Sequence, residues 1–140
     1  MLNSCVIMIE HVFFVDDDFP TNFYHEIIGK KSGVVKKMTS FLSSKEALNY
    51  FERIHNGEPL MVPQVLFLDL NMPELNGWDF LDSFRDLKLE TKPAIYVLST
   101  TITATDKKRF SDDILVEEAL QKPLTEEVLK SILIKCDAMT

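Results

Sequence analysis

Residues 66–81 read "LFLDLNMPELNGWDFL", and the rest of the chain is best understood from this stretch. Val65 to Leu68 form an uninterrupted apolar run, the pattern of a strand buried on both faces. Asp69 then places a carboxylate at the strand's end. Pro73 shapes a short loop, and Asn76 and Gly77 open an amphipathic helix pattern with Trp78, Phe80, Leu81 and Phe84 as its bulky residues. A charge at the end of a buried strand, followed so soon by a helix, has to be accounted for by its neighbours in space.

Outward from this stretch the same alternation recurs. "HVFFV" (11–15) is a short apolar run bounded by acids. "DFPTNFYHEIIG" (18–29) follows as a helix, with Phe19, Phe23 and Ile27 four apart, Pro20 in the first turn and Gly29 as a stop. "VVKKM" (34–38) is a more polar strand, as expected near a sheet edge. "SSKEALNYFERIHNG" (43–57) begins with Ser43 and Glu46 in capping-box spacing, presents Ala47, Leu48, Phe51 and Ile54 on one face and closes at Gly57. "AIYVLS" (94–99) is a fourth strand, 103–112 a helix capped by Thr103, and a fifth strand lies within 114–121. "TEEVLKSILIKC" (125–136) is the last helix, with Val128, Leu129, Ile132, Leu133 and Cys136 on one stripe. Five strands alternating with five helices predict a doubly wound α/β fold with a parallel sheet. In such a sheet ligands gather beyond the carboxyl ends of the strands.

Composition narrows the function. The 140 residues fit one domain, and a net charge of −7 with no basic run longer than Lys107–Arg109 argues against nucleic acid or an anionic membrane surface. The early apolar run Cys5–Ile9 is too short for a signal peptide, and no segment reaches the roughly 18–20 apolar residues of a membrane span. Cys5 and Cys136 are far apart without a companion His, which leaves no disulfide framework or zinc spacing and suits a cytoplasmic protein.

At the strand ends stand Asp16 and Asp17, then Asp69, Ser99 and Lys122, the last followed by Pro123. Each has an ordinary reading: an acidic helix cap, a loop cap, an inert Ser, a turn dipeptide. Their convergence at four strand ends of one sheet is a different matter. Two carboxylates ~4 Å apart repel by roughly 4 kcal/mol at an effective dielectric near 20. One lysine does not balance three carboxylates; a divalent cation does, and oxygen ligands with room for water suit Mg²⁺. Ser99, the backbone N–H groups of "STTIT" (99–103) and Lys122 could hold phosphoryl oxygens.

These residues resemble a response-regulator receiver domain from about His11 to Lys135. "FFVDDD" (13–18) is similar to the family's acidic pair, "LFLDLNMPELNGWDFL" to its phosphoacceptor motif, "IYVLSTT" (95–101) to its hydroxyl-bearing fourth strand, and "LQKPL" (120–124) to its Lys-Pro. The resemblance implies a flavodoxin-like sheet of order 2-1-3-4-5. It also implies phosphoryl transfer to Asp69 from a phosphohistidine on a sensor histidine kinase or histidine phosphotransfer protein. On that analogy Asp16, Asp17, Asp69 and the Asn71 carbonyl hold Mg²⁺, Ser99 and Thr100 respond to the phosphoryl group, and Lys122 pairs with Asp69 or the phosphoryl oxygens. A cis Lys122–Pro123 bond, a stand-alone domain over residues 1–140 with no output domain, and an unknown downstream protein target complete the expectation. Many receivers carry an aromatic residue where this chain has Ala119, which leaves the aromatic part of the family's switch without its usual side chain.

Two rival readings belong beside it. In a haloacid-dehalogenase-type Mg²⁺-dependent phosphatase, Asp16 would be the nucleophile and Asp18 its partner in "FFVDDDFP". Pro20 stands where that motif wants Thr or Val, however, and Asp69 would be left idle. The other rival is a receiver-like docking module that is never phosphorylated, which the full set of Asp16, Asp17, Asp69, Ser99 and Lys122 disfavours.

Overall fold

A computed structural model describes residues 8–138 of the chain; Cys5 lies outside them. The elements alternate without exception: β1 (Ile9–Val15), α1 (Phe19–Ser32), β2 (Val35–Phe41), α2 (Ser44–His55), β3 (Val65–Asp69), α3 (Gly77–Asp86), β4 (Ala94–Ser99), α4 (Ala104–Ser111), β5 (Val116–Gln121) and α5 (Glu126–Ala138). The strands form one parallel sheet in the order β2-β1-β3-β4-β5, a flavodoxin-like arrangement.

The inner strands β1, β3 and β4 are mostly apolar because both of their faces are covered, whereas the edge strands β2 and β5 carry exposed polar residues; the twofold alternation sorts the inner side chains between two cores. Phe13, Val15, Leu66, Leu68, Ile95 and Val97 pack with Ala47 and Phe51 of α2 and Phe80, Leu81 and Phe84 of α3. Val12, Phe14, Val65, Phe67, Tyr96 and Leu98 pack with Ile28 of α1 and Leu129, Ile132 and Leu133 of α5. Each helix start is fixed locally. Asp18, Ser43, Asn76 and Thr103 accept the N–H of the residue three positions on, and at Thr103 the full capping box forms with Asp106.

Four details depart from the sequence reading. The α1 stripe of Phe19, Phe23 and Ile27 is exposed, at 65%, 58% and 40%, while Asn22, His25, Ile28, Gly29 and Ser32 face inward. Helical spacing shows that the chain coils but not which ridge turns inward. Gly29 does not stop α1, which runs on to Gly33 in the left-handed conformation at φ 72°. Instead Gly29 lets the helix approach β2, where a Cβ would fall 2.6 Å from Met38 Sδ. On α5, Val128 is 41% exposed while the rest of its stripe is buried. β2 also runs past Met38 to Phe41, its polar Thr39 and Ser40 suiting its place as an edge strand. Among the described residues no helix is long and apolar enough to cross a membrane.

Candidate functional site

The carboxyl ends of β1, β3, β4 and β5 bring together the residues that the sequence scatters. Asp16 directly follows β1, and its own N–H donates to the Phe41 carbonyl at the end of β2 (3.1 Å). Asn22 in the second turn of α1 clamps this junction, its amide donating to the Asp16 and Phe41 carbonyls at 2.9 and 3.1 Å. Asp69 is the last residue of β3. Lys122 is held one residue beyond β5 by its N–H, which donates to the Ser99 carbonyl (2.8 Å). The Lys122–Pro123 bond is cis.

Backbone placement of this kind aims the side chains at one point. Asp16, Asp17 and Asp69 each offer a carboxylate oxygen within 4.8 Å of the others. Asp16 and Asp69 are buried, at 2% and 5% exposure, and Asp17 is open to solvent. Lys122 Nζ lies 2.6 Å from Asp16 Oδ2 and 3.4 Å from Asp69 Oδ1, so its tighter partner is Asp16. Asp16 Oδ1 also accepts the Asp18 N–H (2.9 Å), and Asp69 Oδ1 accepts the Asn71 N–H at 3.3 Å.

The charge balance is visible in the titration behaviour. Burial, reinforced by the Asp16 charge, pushes the Asp69 carboxyl up from 3.8 to about 6, against the opposing pull of Lys122 and the Asn71 N–H. Burial works against the Lys122 ammonium, yet the Asp16 hydrogen bond and the charges of Asp16 and Asp69 outweigh it and hold its pKa above the usual lysine value. One ammonium therefore leaves the carboxylates short of positive charge. Three oxygen donors, two of them buried and one reachable from water, fit a hard divalent cation such as Mg²⁺.

Ser99 and Thr100 sit where the sequence expects them, and they differ. Ser99 is fully buried; its hydroxyl donates to the Thr101 carbonyl (2.9 Å) and accepts the Asn71 side-chain amide (3.1 Å) and the Thr101 N–H. Thr100 is exposed and lines a groove of about 420 Å³ with Tyr24, His25, Lys122 and Pro123. Asn71 thus enters the site through its N–H and its side chain. Asp18 does not join the carboxylate group: its side chain accepts the Thr21 N–H (3.1 Å) and caps α1. That removes the second aspartate from the phosphatase reading.

Sequence reasoning missed Asn22 and the Asn71 side chain; His25, to which it gives no catalytic role, is buried on the same helix as Asn22. Asn22 and His25 lie three apart on the buried face of α1, and polar residues inside an apolar helix pattern were the available signal. Burial lowers the His25 pKa to about 4 against the opposing Asp16 charge, with a smaller push from Lys122, so its ring is neutral at pH 7.

Comparison with known proteins bears on the same residues. The family model of the response regulator receiver domain matches residues 12–134. The chain belongs to this family. A two-component response regulator from Cytophaga hutchinsonii superimposes with a TM-score of 0.83 at 25% identity, covering 95% of this chain and 99% of that one. One from Legionella pneumophila gives 0.74 at 25% identity, covering 93% and 98%. A curated relative, the probable methanogenesis regulatory protein FilR2 of Methanothrix harundinacea, is 30% identical over 102 residues, 72% of this chain. The match spans 64% of that relative's length. As a receiver domain the chain is a signalling module of the response-regulator type rather than a conventional enzyme.

Gly77 shows how tightly β3 is tied to the helix that follows it. Its N–H donates to the Leu70 carbonyl at 2.9 Å, and a Cβ there would lie 2.9 Å from Leu70 Cα and 3.2 Å from the Asp69 carbonyl oxygen. Both obstacles are backbone and cannot swing aside. Gly77→Ala is expected to lower stability by about 1–3 kcal/mol, read by urea denaturation; an unchanged midpoint would show that the α3 start is free to retreat.

Proposed function

We propose that this receiver takes a phosphoryl group from a phosphohistidine onto Asp69 with the help of Mg²⁺, and so changes its surface for a protein partner. The donor is a sensor histidine kinase or a histidine phosphotransfer protein. The observation that supports this most strongly is the assembly of Asp16, Asp17, Asp69 and Lys122 at one end of the sheet, with the Asp69 charge only partly balanced by Lys122.

In the reaction an Asp69 carboxylate oxygen attacks phosphorus and the P–N bond breaks. Its electron pair returns to the imidazole nitrogen, and the donor ring, protonated beforehand on its other nitrogen, leaves as neutral histidine while Asp69 keeps the group as an acyl phosphate. Asp16, Asp17, Asp69 and the Asn71 carbonyl would hold the Mg²⁺. When bound, the ion neutralises carboxylate and phosphoryl oxygens and orients them for in-line transfer. Asp16 holds Lys122 in place, and Lys122, 3.4 Å from Asp69, is positioned to pair with a new phosphoryl oxygen. Ser99 can reach such an oxygen only by giving up its hydrogen bond to the Thr101 carbonyl. That exchange moves the segment leading into α4.

Incubation with acetyl phosphate is the test. With Mg²⁺ the intact mass is expected to rise by one phosphoryl group, and chelation of the metal should reduce the labelled fraction at least tenfold. Labelling equal with and without metal would contradict the carboxylate site as the seat of the reaction, and no labelling at all would favour the docking-module rival.

A further inference from the structure

Helix α4 is attached to the domain through few side chains. Phe110 is its one buried residue, at 3% exposure. Its ring lies flat on the Trp78 indole of α3, with centroids 4.1 Å apart and planes within 7°. The neighbouring Arg109 guanidinium also lies over Trp78, 3.5 Å from the ring centre. Two consecutive residues of α4 therefore grip one side chain. On the β5 side the helix borders a gap of about 300 Å³ lined by Lys107, Phe110, Ser111, Glu117, Glu118 and Ala119.

Trp78 is in turn fixed by the acceptor strand. It follows Gly77, whose backbone is pressed against Leu70 and the Asp69 carbonyl. A contiguous path thus runs from Asp69 through Leu70, Gly77 and Trp78 to Phe110 and Arg109, without passing through β5. Flat aromatic stacks resist separation but contain no hydrogen bond to fix them sideways. Open volume lies beside this stack on the β5 side.

We propose that the Arg109–Trp78–Phe110 stack is the coupling element that transmits the state of Asp69 to α4. The inference rests on Asp69 being the phosphoryl acceptor. It assigns Trp78 and Phe110 as positioning residues and makes the α3–α4 contact a route to the body of α4 that acts beside the Ser99 exchange at its entry. Coupling of this kind needs an element with two arrangements that the site biases; on this proposal they are two seats of α4 on the indole, with the gap beside Phe110 giving room for the second.

Trp78 is the only tryptophan of the chain, so its emission reports the stack directly. Wild type, Phe110→Leu and Arg109→Ala are each treated with acetyl phosphate and Mg²⁺. Intact mass reads the label, Trp78 emission reads the stack, and amide shifts over 99–118 read the response. In wild type, emission and the α4 amides are expected to change together as label accumulates. In Phe110→Leu the label forms as before and the Ser99 and Thr100 amides respond as in wild type, while the α4 displacement falls at least twofold. Phe110→Tyr, which keeps the ring, restores it. Arg109→Ala, at the surface, weakens the response in the same sense and serves if Phe110→Leu fails to fold. Full α4 displacement in the variants, or displacement in wild type with constant Trp78 emission, overturns the coupling. A wild-type protein that takes no label overturns the acceptor reading instead, and the mass distinguishes the two.

Discussion

Asp69→Asn is expected to abolish labelling by acetyl phosphate and, in the metal-free protein, to raise stability at pH 7. The first effect follows from removing the nucleophile. The second follows from the carboxylate being held at a cost. Its pKa is about 6 in the fold against 3.8 outside it, so the folded chain binds the Asp69 proton more tightly than the unfolded chain does. Stability from this group is fully present below about pH 4 and is lost as pH rises through 6. At pH 7 the ionised carboxylate therefore destabilises the fold by on the order of 1–3 kcal/mol, since a tenfold change in proton affinity is worth about 1.4 kcal/mol. Asparagine has no such charge and leaves the Lys122–Asp16 pair in place. Urea denaturation at pH 7 and at pH 4, with metal chelated, should show the gain at pH 7 and little difference at pH 4. A variant less stable than wild type at both would contradict the electrostatic account. Functional sites are where a fold accepts such strain.

Lys122→Met is expected to move stability the other way. The ammonium, with only 16% of its side chain exposed, is 2.6 Å from Asp16 and 3.4 Å from Asp69, and methionine would leave both carboxylates facing each other unpaired. Removing one partner of a buried ion pair costs several kcal/mol, and some water access here tempers that to about 2–4 kcal/mol at pH 7. Because the folded-state pKa of Lys122 is raised, the ammonium's own protonation contributes fully below the usual lysine value and is lost only as pH rises through the higher folded one. The deficit should still shrink toward pH 4.5, where Asp69 takes up a proton and one of the two stranded charges disappears. Added Mg²⁺ should recover part of the loss by binding the folded carboxylates. A deficit that is the same at pH 7 and pH 4.5 and insensitive to Mg²⁺ would reduce Lys122 to a packing role.

Much of this was legible in the sequence because the relevant signals are local. A strand covered on both faces must be apolar, so Phe13–Val15, Val65–Leu68 and Ile95–Leu98 stand out, and whatever polar residue follows each run marks the ligand end of the sheet. Helix starts are equally local, and Ser43, Asn76 and Thr103 proved to be caps. What remained hidden depends on partners far apart in the chain. Phe19, Phe23 and Ile27 have helical spacing, but apart from Ile28 the inward ridge of α1 is polar or small because it closes on Asp16, Phe41 and Met38. β2 looked shorter than it is because Thr39 and Ser40 are ordinary at a sheet edge, and only its pairing with Phe13 to Val15 reveals its extent. Likewise the stacking of Trp78 on Phe110 links residues with no sequence pattern in common.

The most direct test of the central claim is to find the atom that carries the phosphoryl group. Protein labelled with acetyl phosphate and Mg²⁺ is treated with borohydride, which reduces an aspartyl phosphate to homoserine, and the product is mapped by peptide mass spectrometry. Homoserine is expected at position 69 alone. Its appearance at position 16, or a label that resists borohydride and maps to a histidine, would contradict the account.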